Sequence, residues 1–237
     1  MSNLSKFYQY YLKAKSNRWY WLFSVFCRVS LAYAFIVAGG VKIAGERFAS
    51  GLSVLHPMGA YLEALHHTGY YYTFIGYAQI IAAVLLLIPR TVVLGAMIYF
   101  PIILNICILS IAVRFEGSFV TSPLMVLANL FLLVWHYDKV RFILPFKNHP
   151  EVPIVKKPKK YSNRFPFVFV LGVLATVLLT LTVFLYGFKA MPRNSILDCQ
   201  SQFVNTEYET KGFTFCECIH MEGRSLDECL EEFENER

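Results

Sequence analysis

Residues 19–41 read WYWLFSVFCRVSLAYAFIVAGGV. As a helix rising about 1.5 Å per residue, this run is long enough to cross a hydrocarbon core of about 30 Å. One side chain breaks its apolar character. Arg28 lies roughly 13 Å along the helix from Trp19. A guanidinium at such a depth costs about 2.5–3.5 kcal/mol on insertion scales. It does not escape by losing its proton. The stretch therefore predicts a membrane span whose Arg28 faces other helices, water or a ligand.

Four further apolar runs follow, at 70–88, 91–113, 122–137 and 165–188. With 56% hydrophobic and only 16% charged residues, they exclude an ordinary soluble domain and predict an all-α membrane protein of five spans. The first run has no small-residue cleavage site, so it reads as a span and not as a removable signal. Charge is divided sharply. Residues 1–197 carry 19 Lys+Arg against 5 Asp+Glu, and residues 198–237 carry 3 against 11. The positive charge sits beside the spans, which argues against nucleic acid as a partner and for anionic lipid surfaces.

Basic residues set the topology. Lys6, Lys13, Lys15 and Arg18 precede span 1, Arg90 sits between spans 2 and 3, and eight Lys and Arg from Lys139 to Arg164 fill the segment between spans 4 and 5. The positive-inside rule places all three in the cytoplasm, with the C-terminal tail outside. The chain then divides into a basic, aromatic N-terminal segment (1–18), a four-helix membrane bundle (19–138), a basic cytoplasmic linker (139–164), a fifth span (165–188) and an acidic outer tail (189–237). Residues 1–18 read either as an interfacial amphipathic helix or as a plain basic flank. Leu62, Leu65 and His66 fall at helical spacing in the first outer loop and predict a short helix there. Pro89-Arg90 permits a turn tight enough to make spans 2 and 3 antiparallel neighbours. The Pro- and Lys-rich linker reads as extended along the membrane face.

Arg28 has polar company. Gln79 in span 2, Asn105 in span 3 and Asn129 in span 4 fall in a similar zone, at roughly 10–20 Å from the cytoplasmic helix ends. Tyr33, Tyr77, Tyr99 and Cys107 are candidates to line the same space. Polar groups in hydrocarbon need partners, so convergence is the least costly arrangement. Two readings stand. The layer holds the polar head of an apolar molecule such as a quinone or a lipid, or it is interhelical glue that binds nothing. Lys42 closes span 1 at the outer interface and Arg90 the turn at the inner one. Arg114 and Glu116 read as an interfacial ion pair. A His66-His67 pair with Glu63 nearby could hold a metal, but adjacent residues on a helix diverge by about 100°, so no metal is expected. No Rossmann glycine pattern, P-loop or haem-attachment motif is present. The chain reads as an accessory subunit that holds no redox cofactor unaided, and not as a stand-alone enzyme.

The six cysteines divide two and four. Cys27 and Cys107 lie in spans as small apolar fillers. Cys199, Cys216, Cys218 and Cys229 lie in the outer tail, where an oxidising compartment implies two disulfides with three pairings open. Alternation in KGFTFCECI (211–219) predicts a strand. SLDECLEEFEN (225–235) predicts an amphipathic helix with Ser225 as N-cap and Leu226, Cys229, Leu230 and Phe233 on one face. Redox exchange through Cys216 and Cys218 is disfavoured by the acidic surroundings, which oppose thiolate formation.

Spans 1–4 resemble the DoxX-like family of integral membrane proteins. The likeness rests on Arg28 with Leu31, Phe35, Gly39-Gly40 and Lys42, on Gly76 and Gln79, and on VLLLIPRTVVLGA (84–96) with Pro89-Arg90 between spans. It covers residues 20–140; the fifth span and the Cys tail depart from the basic pattern. Relatives in that family include a membrane subunit of a thiosulfate:quinone oxidoreductase, accessory proteins linked to disulfide formation, and assembly chaperones. The resemblance implies a bacterial inner-membrane accessory subunit of a redox system. Residue by residue, only Arg28, Gly40, Lys42, Gln79 and Arg90 match the family's pattern; in the polar-layer reading, Arg28, Gln79, Asn105, Asn129, Tyr33 and Tyr77 would bind a quinone or lipid, and span 5 and the tail would join a larger membrane complex. The alternative is a non-enzymatic assembly factor or structural subunit.

Overall fold

The computed structural model describes residues 3–143, 155, 158 and 160–235, with side chains from Tyr8 onward. Every regular element among them is a helix. In chain order these are α1 (Asn3–Lys15), α2 (Arg18–Ile43), α3 (Pro57–His66), α4 (Tyr70–Leu87), α5 (Val92–Ala112), α6 (Glu116–Phe119), α7 (Thr121–Trp135), α8 (Tyr137–Val140), α9 (Phe167–Tyr186), α10 (Ile196–Ser201), α11 (Glu209–His220) and α12 (Leu226–Asn235). Five stretches are long and apolar enough to cross a membrane: α2, α4, α5, α6 continuing into α7, and α9. The chain is an all-helical protein of the multi-pass membrane kind.

Helices α2, α4, α5 and α7 pack around one core that includes Leu31, Phe35, Ala82, Ala83, Leu86, Ala96, Tyr99, Ile103 and Leu132. Glycines set how closely the helices approach. A Cβ on Gly39 would stand 2.8 Å from the Gly76 carbonyl oxygen, so α2 and α4 touch backbone to backbone. Without water in hydrocarbon, such small-residue contacts are what bring spans together. Between α2 and α5, Phe35 and Tyr99 stack with centroids 3.6 Å apart, and the Tyr99 hydroxyl donates to the Leu31 carbonyl at 3.2 Å. The Ile88–Thr91 turn joining α4 to α5 is closed by Thr91 Oγ1, which donates to Leu85 O at 2.9 Å.

Helix α1 lies against the end of the bundle where α7 finishes. Tyr11 is buried, and its hydroxyl sits 2.8 Å from Asp138 Oδ1 and 3.0 Å from Trp135 O. Lys15 Nζ stands 3.8 Å from Asp138 and 4.5 Å above the Trp135 ring. Between α1 and α2, residues 16–18 pair with Ser162 in an isolated parallel bridge: Ser162 N donates to Ser16 O at 2.8 Å and Arg18 N to Ser162 O at 3.0 Å. The start of α9 is thereby stitched to the start of α2. The extended linker expected over 139–164 falls largely on residues outside those described.

The regular elements among the described residues of the tail are all helices, and the strand expected at 211–219 is α11. In a helix Gly212, Phe215, Cys216 and Ile219 share one face, and all four are buried. The pattern FTFC fits a period of two only over a window too short to exclude 3.6. Packing against Phe203, Leu226 and Cys229 decides it. α12 begins where Ser225 predicts, with Glu228 N donating to Ser225 Oγ at 3.3 Å. Two disulfides close the unit, Cys199–Cys216 and Cys218–Cys229. Cys216 and Cys218, two positions apart, point about 200° apart around α11, so each is directed to a different partner.

Candidate functional site

Arg28 is engaged by backbone. Its Nε donates to Leu86 O at 2.7 Å and its Nη2 to Leu87 O at 2.6 Å. These are carbonyls of the last turn of α4, which have no donor in their own helix and carry the negative end of its dipole. The guanidinium thus caps a neighbouring helix. α2 runs well past the α4–α5 turn, and Arg28 is level with that turn.

The other members of the expected layer are dispersed. Asn129 is fully buried, and its Nδ2 donates to Ala96 O at 3.0 Å. Gln79 is buried higher on α4, its Cβ against Gly39. Asn129 Oδ1 and Gln79 Oε1 are sealed from solvent without a hydrogen-bond partner among the described residues. Asn105 is exposed on α5. Tyr33 and Tyr77 are 69% and 53% exposed on the outer faces of α2 and α4, so they line no interior space. Tyr99 and Cys107 are buried in the helix interfaces. The structure joins Arg28 to α4 and Asn129 to α5, and among the described residues no hydrogen bond links any two of the named polar side chains.

Lys42 is buried, contrary to an interfacial snorkel. Its Nζ donates to Ala38 O at 3.0 Å and lies 4.6 Å from the Phe48 ring and 5.8 Å from the Tyr72 ring. Arg90 is exposed in the α4–α5 turn. Among the described residues no three His, Cys, Asp or Glu side chains are grouped to hold a metal ion. The pair expected between Arg114 and Glu116 is replaced. Glu116 accepts from Arg193 Nη1 at 2.7 Å, while Arg114 Nη1 donates to Ala190 O at 2.7 Å beneath the Phe188 ring. Arg114 has a φ of 48°, which turns the chain between α5 and α6 and aims the side chain at the tail.

Two features escaped the sequence reading. The first is a groove of about 650 Å³ between α2, α7 and α9. Phe23, Cys27 and Leu31 form one wall, Leu124, Ala128 and Phe131 a second, and Gly172, Val173 and Thr176 the third. It is apolar, and Thr176 spends its hydroxyl on Gly172 O at 2.8 Å. Rings close it at the α1 end, where Phe169 packs 5.2 Å from Phe23 and 4.3 Å from Tyr20. The signal in the sequence was Gly172 in an otherwise bulky span, which leaves room where neighbours have side chains.

The second is how the tail docks. His56 is fully buried at the start of α3, where its Nδ1 accepts from Met58 N at 3.1 Å. Its Nε2 is buried without a close partner, the Arg193 backbone lying at longer range. His220 of α11 faces it with ring centroids 5.8 Å apart, and places its Nε2 2.7 Å from Pro192 O. Burial, then His220, push the His56 pKa down to about 4.

No family model matches the chain, and no solved structure matches it. The uncharacterized protein YwoB of Bacillus subtilis (strain 168) is 34% identical over 128 residues, covering 52% of this chain and 81% of YwoB. At that identity and coverage, the chain belongs to the same family as YwoB.

Proposed function

We propose that the protein is a DoxX-like accessory subunit of a redox system in the bacterial inner membrane, which seats the apolar chain of a quinone or lipid between its fifth span and its helix bundle. The observation that carries the reading is the groove of about 650 Å³ walled by α2, α7 and α9. Its lining offers an acyl or isoprenoid chain close contact and offers a polar head almost nothing, so the head group would sit beyond the groove. The commitment of Arg28 to α4 carbonyls supports a chain-binding role over head-group recognition at Arg28. In this reading α1 and the basic linker are cytoplasmic, and the tail projects into the periplasm or outside the cell, where its disulfides are stable.

The test is the composition of what co-purifies. Wild-type protein in native nanodiscs is expected to carry one quinone or lipid class enriched over the bulk membrane. Gly172→Trp fills the groove from a position with open space around its Cβ, and is expected to lose the enrichment with the fold intact. Bulk composition in both proteins overturns the reading.

One observation favours a non-enzymatic assembly or structural subunit. The tail is a disulfide-closed unit whose outer helix exposes Glu228, Glu231, Glu232 and Glu234. That is a rigid acidic face suited to a basic partner. A stoichiometric partner captured in native detergent, and released by Glu231→Lys with Glu234→Lys, supports this reading. Redox turnover by the isolated protein opposes it.

A further inference from the structure

Asn105 presents an unsatisfied amide to the outside of the bundle. It is exposed on α5 and makes no hydrogen bond with any described residue. It lies about 20 Å from the start of α5 and about 10 Å from its end, inside one of the five stretches able to cross a membrane. Hydrocarbon gives such a group no partner. The same face carries Leu94, Ile108 and Ala112, all exposed. It also carries Pro101, which has no N–H to give the Met97 carbonyl, so this face is short of donors along its backbone as well.

From this we infer that α5 is the interface of a parallel homodimer centred on Asn105. The argument for a second copy rests on depth and on the chemistry of the amide. Every copy inserts the same way, so a two-fold axis along the membrane normal brings Asn105 opposite Asn105 at one depth. A primary amide is its own complement: each carbonyl accepts from the other NH₂, and both groups are satisfied in one contact. The exposed positions 94, 101, 105, 108 and 112 follow one another in steps of seven, four, three and four, the spacing of a seam between two left-handed supercoiled helices with Asn105 inside it. The inference does not depend on the groove, which lies on the other side of α7.

The experiment measures association in liposomes by single-molecule photobleaching over a dilution series, with full-length labelled protein. Wild type is expected to be dimeric, Asn105→Leu to dissociate about tenfold more readily, and Asn105→Gln to remain near wild type. Because position 105 is exposed, neither change disturbs the core. In parallel, Ile108→Cys on α5 and Ile81→Cys on α4 are oxidised in native membranes. Cross-linking to a second copy from 108 and not from 81 supports the assignment. A monomer at all densities, a dimer indifferent to Asn105→Leu, cross-linking from 81 alone, or cross-linking from 108 to a different polypeptide each overturns it.

Discussion

Arg28 caps α4: its Nε lies 2.7 Å from the Leu86 carbonyl oxygen, and its Nη2 reaches the next carbonyl along. Two orphan acceptors are satisfied by one rigid fork, which a flexible ammonium does not reproduce. Arg28→Leu is expected to lower stability by about 1–3 kcal/mol, the range for leaving buried acceptors unmet, and Arg28→Lys by less. Thermal unfolding of purified protein in detergent checks both. Equal melting temperatures for all three would mean the cap is dispensable.

Adjacent glycines in α2 make opposite predictions. A Cβ on Gly39 meets the Gly76 carbonyl at 2.8 Å, whereas one on Gly40 meets nothing within 4 Å. Gly39→Ala is expected to force α2 from α4 at a cost of about 1–3 kcal/mol. Gly40→Ala is expected to be neutral or mildly stabilising, since alanine favours helix by about 1 kcal/mol. The melting temperatures of the two variants, compared side by side, decide the matter.

Tail docking is expected to weaken in acid. His56 is held neutral when docked, with its pKa lowered to about 4 from the ordinary 6.5. A released His56 takes up a proton below about 6.5, and the docked form does so only near 4. Docking is therefore fully present above about pH 6.5, is lost progressively as pH falls toward 4, and changes little further below that. Hydrogen exchange of α3 and α11 at pH 7.5 and pH 5 reports the release. His56→Asn keeps an N-cap acceptor without a titrating ring, and is expected to flatten the profile in this window. A pH dependence unchanged by His56→Asn would place its origin elsewhere.

Thiol counting tests the tail. Denatured but unreduced protein is expected to alkylate at Cys27 and Cys107 alone, and reduced protein at all six cysteines. Peptide mapping should recover Cys199 with Cys216 and Cys218 with Cys229. Cys218→Ser with Cys229→Ser is expected to destabilise the tail by about 2–4 kcal/mol while α2, α4, α5 and α7 stay folded. A Cys216–Cys218 linkage would contradict the helical α11.

What the sequence made legible were features that depend on one helix at a time. The five apolar stretches, the α3 helix at Pro57–His66 and the Ser225 cap are each written in local spacing. The Pro89-Arg90 turn is equally local. What it hid were relations between helices. The residues do not record how far α2 overruns the α4–α5 turn, so the pairing of Arg28 with the end of α4 was hidden. The amides were grouped by depth alone, yet Asn129 turns inward to Ala96 while Asn105 turns outward, a difference of rotation that similar apolar neighbours on every face conceal. Arg114 and Glu116, two residues apart, invited a local pair. The competing partners, Ala190 and Arg193, lie more than seventy residues away.

The fifth helix is secured at its two ends and little in between. Near its start, Asn17 Nδ2 donates to Arg164 O at 2.8 Å and Phe169 nests among Tyr20, Phe23 and Phe131. At its finish, Phe184 and Phe188 clasp Phe119 at 4.9 and 5.4 Å. A rod fixed this way behaves as a bow. Its midsection can flex outward by small changes spread over four turns, without loosening either nock. Widening the space behind Gly172 then trades one set of dispersion contacts for another, with no hydrogen bond broken. The fold has placed a wall held only at its ends across the groove between α9 and the bundle.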